Sequence, residues 1–396
     1  MTRYLSDLPE QAPDFIIQLM AQFRDDPRPD KIDLGVGVYR NAAGETPIMQ
    51  AVKQAETRLL QAETTKSYVA LEGDPAFHQA MAKLILGADA PLHRIAAAGT
   101  VGGSGAVNIA LQLIRRAHPD ARIWVPSPTW ANHTAMIGYQ RITMLEYAYF
   151  NPETRAVDFA ALTHSLSDLR PGDVVLLHGC CHNPTGADLT PEDWRELAHL
   201  LADRGALPLV DLAYQGFGDG VEADAAPTRL IAETCPEVLI AASCSKNFGL
   251  YRERAGVLLA LGDAADQTRA QGNLTNLNRM TYSFPPDHGA RLVTMILNDP
   301  DLRRLWMDEL EQMRSGMVTL RGLLTQELRR LTGSDRFGFI AQHRGMFSRL
   351  GASPEQVATM RDEFGLYMIG DSRINIAGLT KDAVPAVART IVAAGL

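Results

Sequence analysis

From Val174 to Asp211 the chain reads VVLLHGCCHNPTGADLTPEDWRELAHLLADRGALPLVD. Two short apolar runs, Val174–His178 and Leu207–Asp211, bracket a longer amphipathic stretch. Neither run alternates apolar with polar residues, which is the pattern of strands buried on both faces. Between them, Thr190 offers a hydroxyl N-cap and Pro191 stands at the first helical position, where a missing N–H costs nothing. Glu192 and Asp193 then suit the positive end of the helix dipole. The spacing predicts a helix from Pro191 to Arg204. Strand, helix and strand in this order form the unit of a parallel sheet covered by helices.

The same pattern extends outward. Arg122–Val125 and Ile142–Tyr147 read as strands before this unit, and Val238–Ser243 and Gly256–Leu261 as strands after it. His288–Leu331 reads as a long helical region with a boundary inside it. Beyond that the pattern changes. Phe337–Ile340, Met346–Leu350, Tyr367–Ile369 and Arg373–Ile376 read as strands, and Ser353-Pro354-Glu355 opens a helix to Phe364. The expectation is an α/β fold with two parts: a large domain whose mostly parallel sheet is covered by helices, and a smaller α+β domain built from both chain ends. The boundaries expected are 1–45 for an N-terminal arm and part of the small domain, 46–312 for the large domain, and 313–396 for the rest of the small one. A turn rich in proline and aspartate, Asp25–Asp30, leads the N-terminal segment toward the small domain.

Bulk composition narrows the function. With 396 residues, 46% of them hydrophobic and 21% charged, the chain can bury a large core and is not a disordered polymer. A net charge of −8 without any basic run excludes a general nucleic-acid binder. No apolar run reaches the length of a membrane span, and Met1–Asp14 lacks the apolar centre of a signal peptide. The four cysteines include no Cys-x-x-Cys, as expected of a reducing compartment, so the cytoplasm is the expected location.

Ligands of a doubly wound sheet bind beyond the carboxyl ends of its strands, and the polar clusters fall at such ends. Arg122–Val125 leads to Trp130. Val174–His178 leads to Gly179-Cys180-Cys181-His182-Asn183-Pro184-Thr185-Gly186. Leu207–Val210 ends at Asp211 with Tyr214 beyond, and Val238–Ala242 ends at Ser243-Cys244-Ser245-Lys246-Asn247. An indole, an amide, a carboxylate, a phenol and an amine could together hold an aromatic, charged cofactor. Gly99-Thr100-Val101-Gly102-Gly103-Ser104-Gly105 feeds a helix N-terminus, a ready anion site, with Ser243 and Arg254 as further donors. It is neither a Walker loop nor a dinucleotide fingerprint. Packing glycines would explain it nearly as well. His178, Cys180, Cys181 and His182 are too crowded in one turn to surround a tetrahedral ion, so no metal is expected. Gly35-Val36-Gly37-Val38-Tyr39 by itself reads as a turn.

Taken together, these segments resemble fold-type I pyridoxal-phosphate aminotransferases of the aspartate/aromatic group. The likeness spans almost the whole chain. It rests on Asp33–Arg40, His182–Gly186, Asp211-Leu212-Ala213-Tyr214-Gln215-Gly216, Ser243–Arg254 and Ser372–Leu379. Tyr282-Ser283-Phe284-Pro285-Pro286 and Phe347-Ser348-Arg349-Leu350-Gly351 are most similar to the bacterial aromatic-amino-acid enzymes. The resemblance implies that Lys246 bonds the cofactor aldehyde and shuttles the substrate's proton, while Asp211 pairs with the pyridine nitrogen, backed by His133 and His178. It implies that Asn183 and Tyr214 donate to the phenolate oxygen, that Trp130 stacks on the ring, and that Gly103, Ser104, Ser243 and Arg254 cradle the phosphate. Tyr68 is implied to reach the phosphate of a second copy, making a homodimer with shared active sites. Arg373 is implied to clamp the substrate α-carboxylate, with Gly37, Trp130 and Asn183 touching substrate. Arg279 is implied to meet a distal carboxylate from the partner subunit.

Some positions depart from the family pattern: Ser104 where threonine is frequent, Ala131 where proline is frequent, and Val107-Asn108 in place of Leu-Arg. None touches the lysine chemistry, so they bear on substrate preference. The implied reaction is amino transfer between aromatic amino acids or aspartate/glutamate and 2-oxoglutarate or oxaloacetate, with a strict aspartate enzyme as the alternative. A lyase or decarboxylase on the same fold would share Lys246 and Asp211, but the two arginines favour exchange between diacids. A non-catalytic binding protein would have no need of the lysine.

Overall fold

A computed structural model describes residues 4–11 and 14–396. The Met1–Asp14 stretch, read as free of a signal peptide, thus lies partly outside the described residues. No described helix is long and apolar enough to cross a membrane.

Seven strands form the main sheet: β1 (Ile95–Val101), β2 (Arg122–Ser127), β3 (Thr143–Ala148), β4 (Val174–His178), β5 (Leu207–Leu212), β6 (Val238–Ser243) and β7 (Ala255–Leu261). Their spatial order is β1-β7-β6-β5-β4-β2-β3. All neighbours run parallel except β7, which is antiparallel to both β1 and β6. The mostly parallel α/β sheet expected from the sequence is therefore present, with helices packed on its faces. Its central strands are buried along their whole length, as their unbroken apolar runs require.

The Pro191–Arg204 helix forms as read. The Thr190 hydroxyl accepts from Asp193 N–H, the Asp193 carboxylate accepts from Thr190 N–H, and left-handed Gly205 ends the helix. The long helical region is split at Asp299, which caps a 33-residue helix, Pro300–Thr332. That helix runs from beside the main sheet, where Trp306 is buried, into a separate apolar cluster. This cluster joins Leu34 to residues between Leu324 and Ile391. Ile32–Asp33 pairs in parallel with Leu366–Tyr367, and Phe347–Arg349 pairs antiparallel with Arg373–Asn375.

One expectation fails here. Phe337–Ile340, read as a strand, instead leads into a short helix, Phe339–Gln342. Its apolar residues turn toward the long helix rather than toward a strand partner, with Phe337 and Ile340 both in the smaller core.

Candidate active site

The lysine, amide, carboxylate and phenol converge because β4, β5 and β6 are consecutive neighbours in the sheet. The register sets His178 beside Asp211 and Asp211 beside Ala241. The residues just past each strand end then share one crevice.

Asp211 is buried, and its Oδ2 lies 3.0 Å from His133 Nε2. A relay continues from His133 Nδ1 to Thr129 Oγ1 at 2.9 Å and from there to His178 Nε2 at 3.0 Å. Burial pushes the Asp211 carboxyl up, but the His133 hydrogen bond and nearby positive charge, Lys246 included, outweigh it, leaving a net shift below the usual carboxylate range. Burial holds His178 neutral, with its pKa lowered to about 3. His133, expected as a partner of this carboxylate, thus bonds it directly, while His178 acts through Thr129, which sequence reading missed. Trp130 meets His133 edge-on at 5.1 Å between ring centres.

Lys246 Nζ lies 4.9 Å from the centre of the Tyr214 ring. Desolvation lowers its pKa, only partly offset by the Asp211 carboxylate, and the Arg254 charge adds to the lowering. The turn that carries the lysine is braced from the long helix: Trp306 Nε1 donates to the Asn247 carbonyl at 2.7 Å and stacks on Phe248. Burial raises the Tyr214 phenol, so it keeps its proton at neutral pH, and Asn183 Nδ2 lies 3.5 Å from its oxygen.

The antiparallel strand β7 builds the anion cradle. It starts where β1 and β6 end, with Ala255 opposite Val101 and Gly256 opposite Ser243. Arg254 and Ser243 are thereby brought to the N-terminus of the Gly102–Ala117 helix, which has no side-chain cap. Gly102 adopts φ +63, and a Cβ there would sit 2.4 Å from Arg254 Nη2. A Cβ on Gly103 would come within 3.0 Å of Ser243 Cβ. Among the described residues the Arg254 guanidinium donates only to Ser245 Oγ and the Tyr251 carbonyl, and no carboxylate pairs with it. Unspent helix N–H groups, two hydroxyls and an uncompensated guanidinium fit a phosphate group.

Arg373 is buried, and no described acid forms an ion pair with it. Its Nη1 donates to Asn183 Oδ1 at 3.2 Å and its Nη2 to the Gly35 carbonyl at 3.3 Å, while Nε has no partner among the described residues. Desolvation lowers its pKa. The guanidinium lies 4.3 Å from the centre of the Phe347 ring. Gly37 completes this corner, since a Cβ there would press on Phe347 Cζ at 3.1 Å. Asn375 Nδ2 ties the loop down by donating to the Val36 and Val38 carbonyls. A cation so placed is ready for a carboxylate.

Beneath it lies Arg321, which sequence reading missed. It is fully buried and donates to the carbonyls of Ile340, Arg344, Gly345 and Phe347 and to Ser348 Oγ. In sequence it is one more arginine on an amphipathic helix. Only the fold reveals that it gathers the loop bearing Phe347.

Tyr68 and Arg279 stand apart from this crevice. Tyr68 is 85% exposed and packs on Phe284, and Arg279 is exposed in the last turn of the Gln267–Thr281 helix with no described partner. Of the four crowded metal-type side chains, Cys180 and Cys181 do cluster, with Asp224. The Asp224 carboxylate already accepts three backbone N–H groups, from Gly216, Gly218 and Asp219, each at 2.8 Å.

A strand-end lysine, a buried ionised carboxylate, an anion cradle and an unpaired arginine describe an enzyme acting on small amine- and carboxylate-bearing molecules. Residues 29–391 match the family model described as "Aminotransferase class I and II", and the chain belongs to that family. It is 58% identical over 393 residues to an aromatic-amino-acid aminotransferase of Paracoccus denitrificans, covering 99% of this chain and 100% of the relative. It is 43% identical to an aspartate aminotransferase of Salmonella typhi, covering 96% of this chain and 97% of the other. Among solved structures, an aromatic-amino-acid aminotransferase from Burkholderia pseudomallei, covalently bound to pyridoxal phosphate, superposes with a TM-score of 0.97 at 36% identity, covering 99% of this chain and 100% of that one.

Proposed function

We propose that this aminotransferase uses pyridoxal phosphate to move amino groups from aromatic amino acids and aspartate or glutamate to 2-oxoglutarate or oxaloacetate. The observation that carries the reading is the juxtaposition of Lys246 and Asp211 beside the Gly102–Ser104 cradle and the unpaired Arg373. When bound, the cofactor supplies an amine-reactive aldehyde and a ring that takes up electrons from the substrate α-carbon.

The chain's own groups do the rest. Gly103, Ser104, Ser243 and Arg254 hold the phosphate. Asp211, kept ionised by His133, holds a proton on the ring nitrogen. Asn183 and Tyr214 donate to the phenolate oxygen, and Trp130 covers the ring. With the cofactor bound, Lys246 Nζ would hold its aldehyde and, as a free amine, would carry the proton from the substrate α-carbon to the cofactor carbon; its lowered pKa makes the neutral amine more available. Arg373 orients the α-carboxylate against Asn183 and the Gly37 backbone.

Tyr68 and Arg279 reach solvent in one chain, so their part in the site requires a second copy. We assign them to the partner's crevice in a homodimer, Tyr68 at the phosphate and Arg279 at a distal carboxylate. The domain division at 45/46 and 312/313 and a cytoplasmic location belong to the same proposal. Comparison of kcat/KM for phenylalanine, tyrosine, aspartate and branched-chain amino acids with 2-oxoglutarate tests the substrate range. Turnover of aspartate alone would replace this reading with a strict aspartate enzyme.

A further inference from the structure

Beside the Arg373 strand lies a cavity of about 390 Å³. Its walls come from the Phe150–Val157 hairpin and from loops flanking the Phe347–Arg349 and Arg373–Asn375 ladder. Three charged side chains line it: Arg155, Arg349 and Asp371. Asp371 is engaged, since its carboxylate accepts the Arg373 N–H at 3.1 Å and lies 3.5 Å from Arg349 Nε. Arg349 Nε also donates to the Asp371 carbonyl at 3.2 Å.

Arg155 has no such partner. Among the described residues no hydrogen bond or ion pair engages its guanidinium, although the residue is partly buried. Its backbone is anchored at both ends: its N–H donates to the Asn151 carbonyl at 2.9 Å, and its own carbonyl accepts from His343 Nε2 at 2.8 Å. Gly351 makes room for the side chain, because any Cβ there would overlap the guanidinium. Desolvation and the neighbouring Arg349 charge both lower its pKa. The lining therefore carries two guanidiniums against one carboxylate, with one donor fork unspent.

We propose that Arg155 and Arg349 form a binding site for a small phosphate-class dianion, separate from the cradle at Gly103. A tetrahedral oxyanion can accept from both forks at once, which suits guanidinium better than a single point charge would. Occupancy would also reach the substrate clamp. Gly351 N–H donates to Ser372 Oγ, Ser372 precedes Arg373, and Arg349 lies opposite Arg373 in the ladder. A dianion here ties the hairpin to the strand that presents Arg373.

The test uses the cofactor-loaded enzyme, so that the Gly103 cradle is filled, freed of inorganic phosphate. Calorimetric titration with inorganic phosphate, and separately with glycerol phosphate, should give saturable binding. That binding should weaken at least about tenfold in Arg155→Gln and in Arg349→Gln, with partial recovery in Arg155→Lys. Tighter binding of the ester would name a phosphomonoester as the ligand, and equal binding would name the phosphate group alone. Added phosphate should shift KM for phenylalanine in the wild type and leave it flat in Arg155→Gln. Melting curves identify any variant that fails to fold. No saturable binding of either probe by the wild type, or binding unchanged in both glutamine variants, overturns the proposal.

Discussion

Lys246 is useful because of what surrounds it. Burial removes the water that favours its charged form, while Asp211 pulls the other way, and burial prevails. Lys246→Ala should abolish the cofactor's lysine-dependent absorbance and nearly all turnover; near-normal activity would remove the lysine from the chemistry. On the proposed pairing of Asp211 with the ring nitrogen, Asp211→Ala should slow the proton-abstraction step about a thousandfold, on the order of 4 kcal/mol. A rate within about tenfold of wild type, read by single-turnover kinetics, would deny Asp211 that role. Arg279→Leu should damage aspartate turnover far more than phenylalanine turnover, and equal losses would place Arg279 away from the distal carboxylate. At this scale Lys246, Asp211 and Arg373 stood out in the sequence because each sits in a short stretch with unusual residue types, while their roles remain those proposed above. Thr129 and Arg321 were not, because their importance lies in contacts with residues distant in sequence: Thr129 bridges to His178, and Arg321 serves a loop about twenty residues on.

Among the elements, strands with unbroken runs of valine, leucine and isoleucine were legible, and Val174–His178 and Val238–Ser243 keep the limits read for them. The first strand, Ile95–Val101, was not recognised, since its Ala-Ala-Ala-Gly centre carries little strand character. Nor could the antiparallel sense of β7 be read, because orientation leaves no mark on a fully apolar strand. Yet that orientation brings Arg254 to the cradle. Gly102→Ala should therefore displace the Arg254 guanidinium and strain a φ of +63, weakening cofactor retention about tenfold or more while the fold persists. Unchanged retention on dialysis would separate Arg254 from the phosphate. The long helix is the second device. Trp306→Phe removes the donor to the Asn247 carbonyl but keeps the stacking ring, and should cost about 1–3 kcal/mol of stability by denaturant melts.

Across the whole molecule, the histidines link pH to stability. Burial lowers His343 to about 4 and His178 to about 3, and holds His78 and His182 below their ordinary value. A histidine depressed in the folded state contributes stability that is present above its unfolded pKa and is lost as pH falls toward the folded one. Asp188 acts in the opposite sense: burial pushes its carboxyl up to about 6, so its contribution is present at low pH and lost as pH rises through 6. Burial raises Asp224 and Asp287 in the same sense, but the four histidines have their unfolded pKa inside this window and outweigh the three carboxyls, so the melting temperature should fall as pH drops from about 7 to about 5. A flat profile would mean that these rings are not held neutral. The two-part architecture was legible from the change of pattern after the long helix, whereas the parallel pairing of Ile32–Asp33 with Leu366–Tyr367 joins segments too distant for local reading. The central claim is that this fold passes an amino group from donor to acceptor through Lys246. The most direct measurement supplies phenylalanine labelled on its amino nitrogen together with 2-oxoglutarate, and follows the label. The expected result is labelled glutamate from the wild-type enzyme and at least about a thousandfold less from Lys246→Ala. Label released as free ammonia, or equal labelling of glutamate by both proteins, would contradict it.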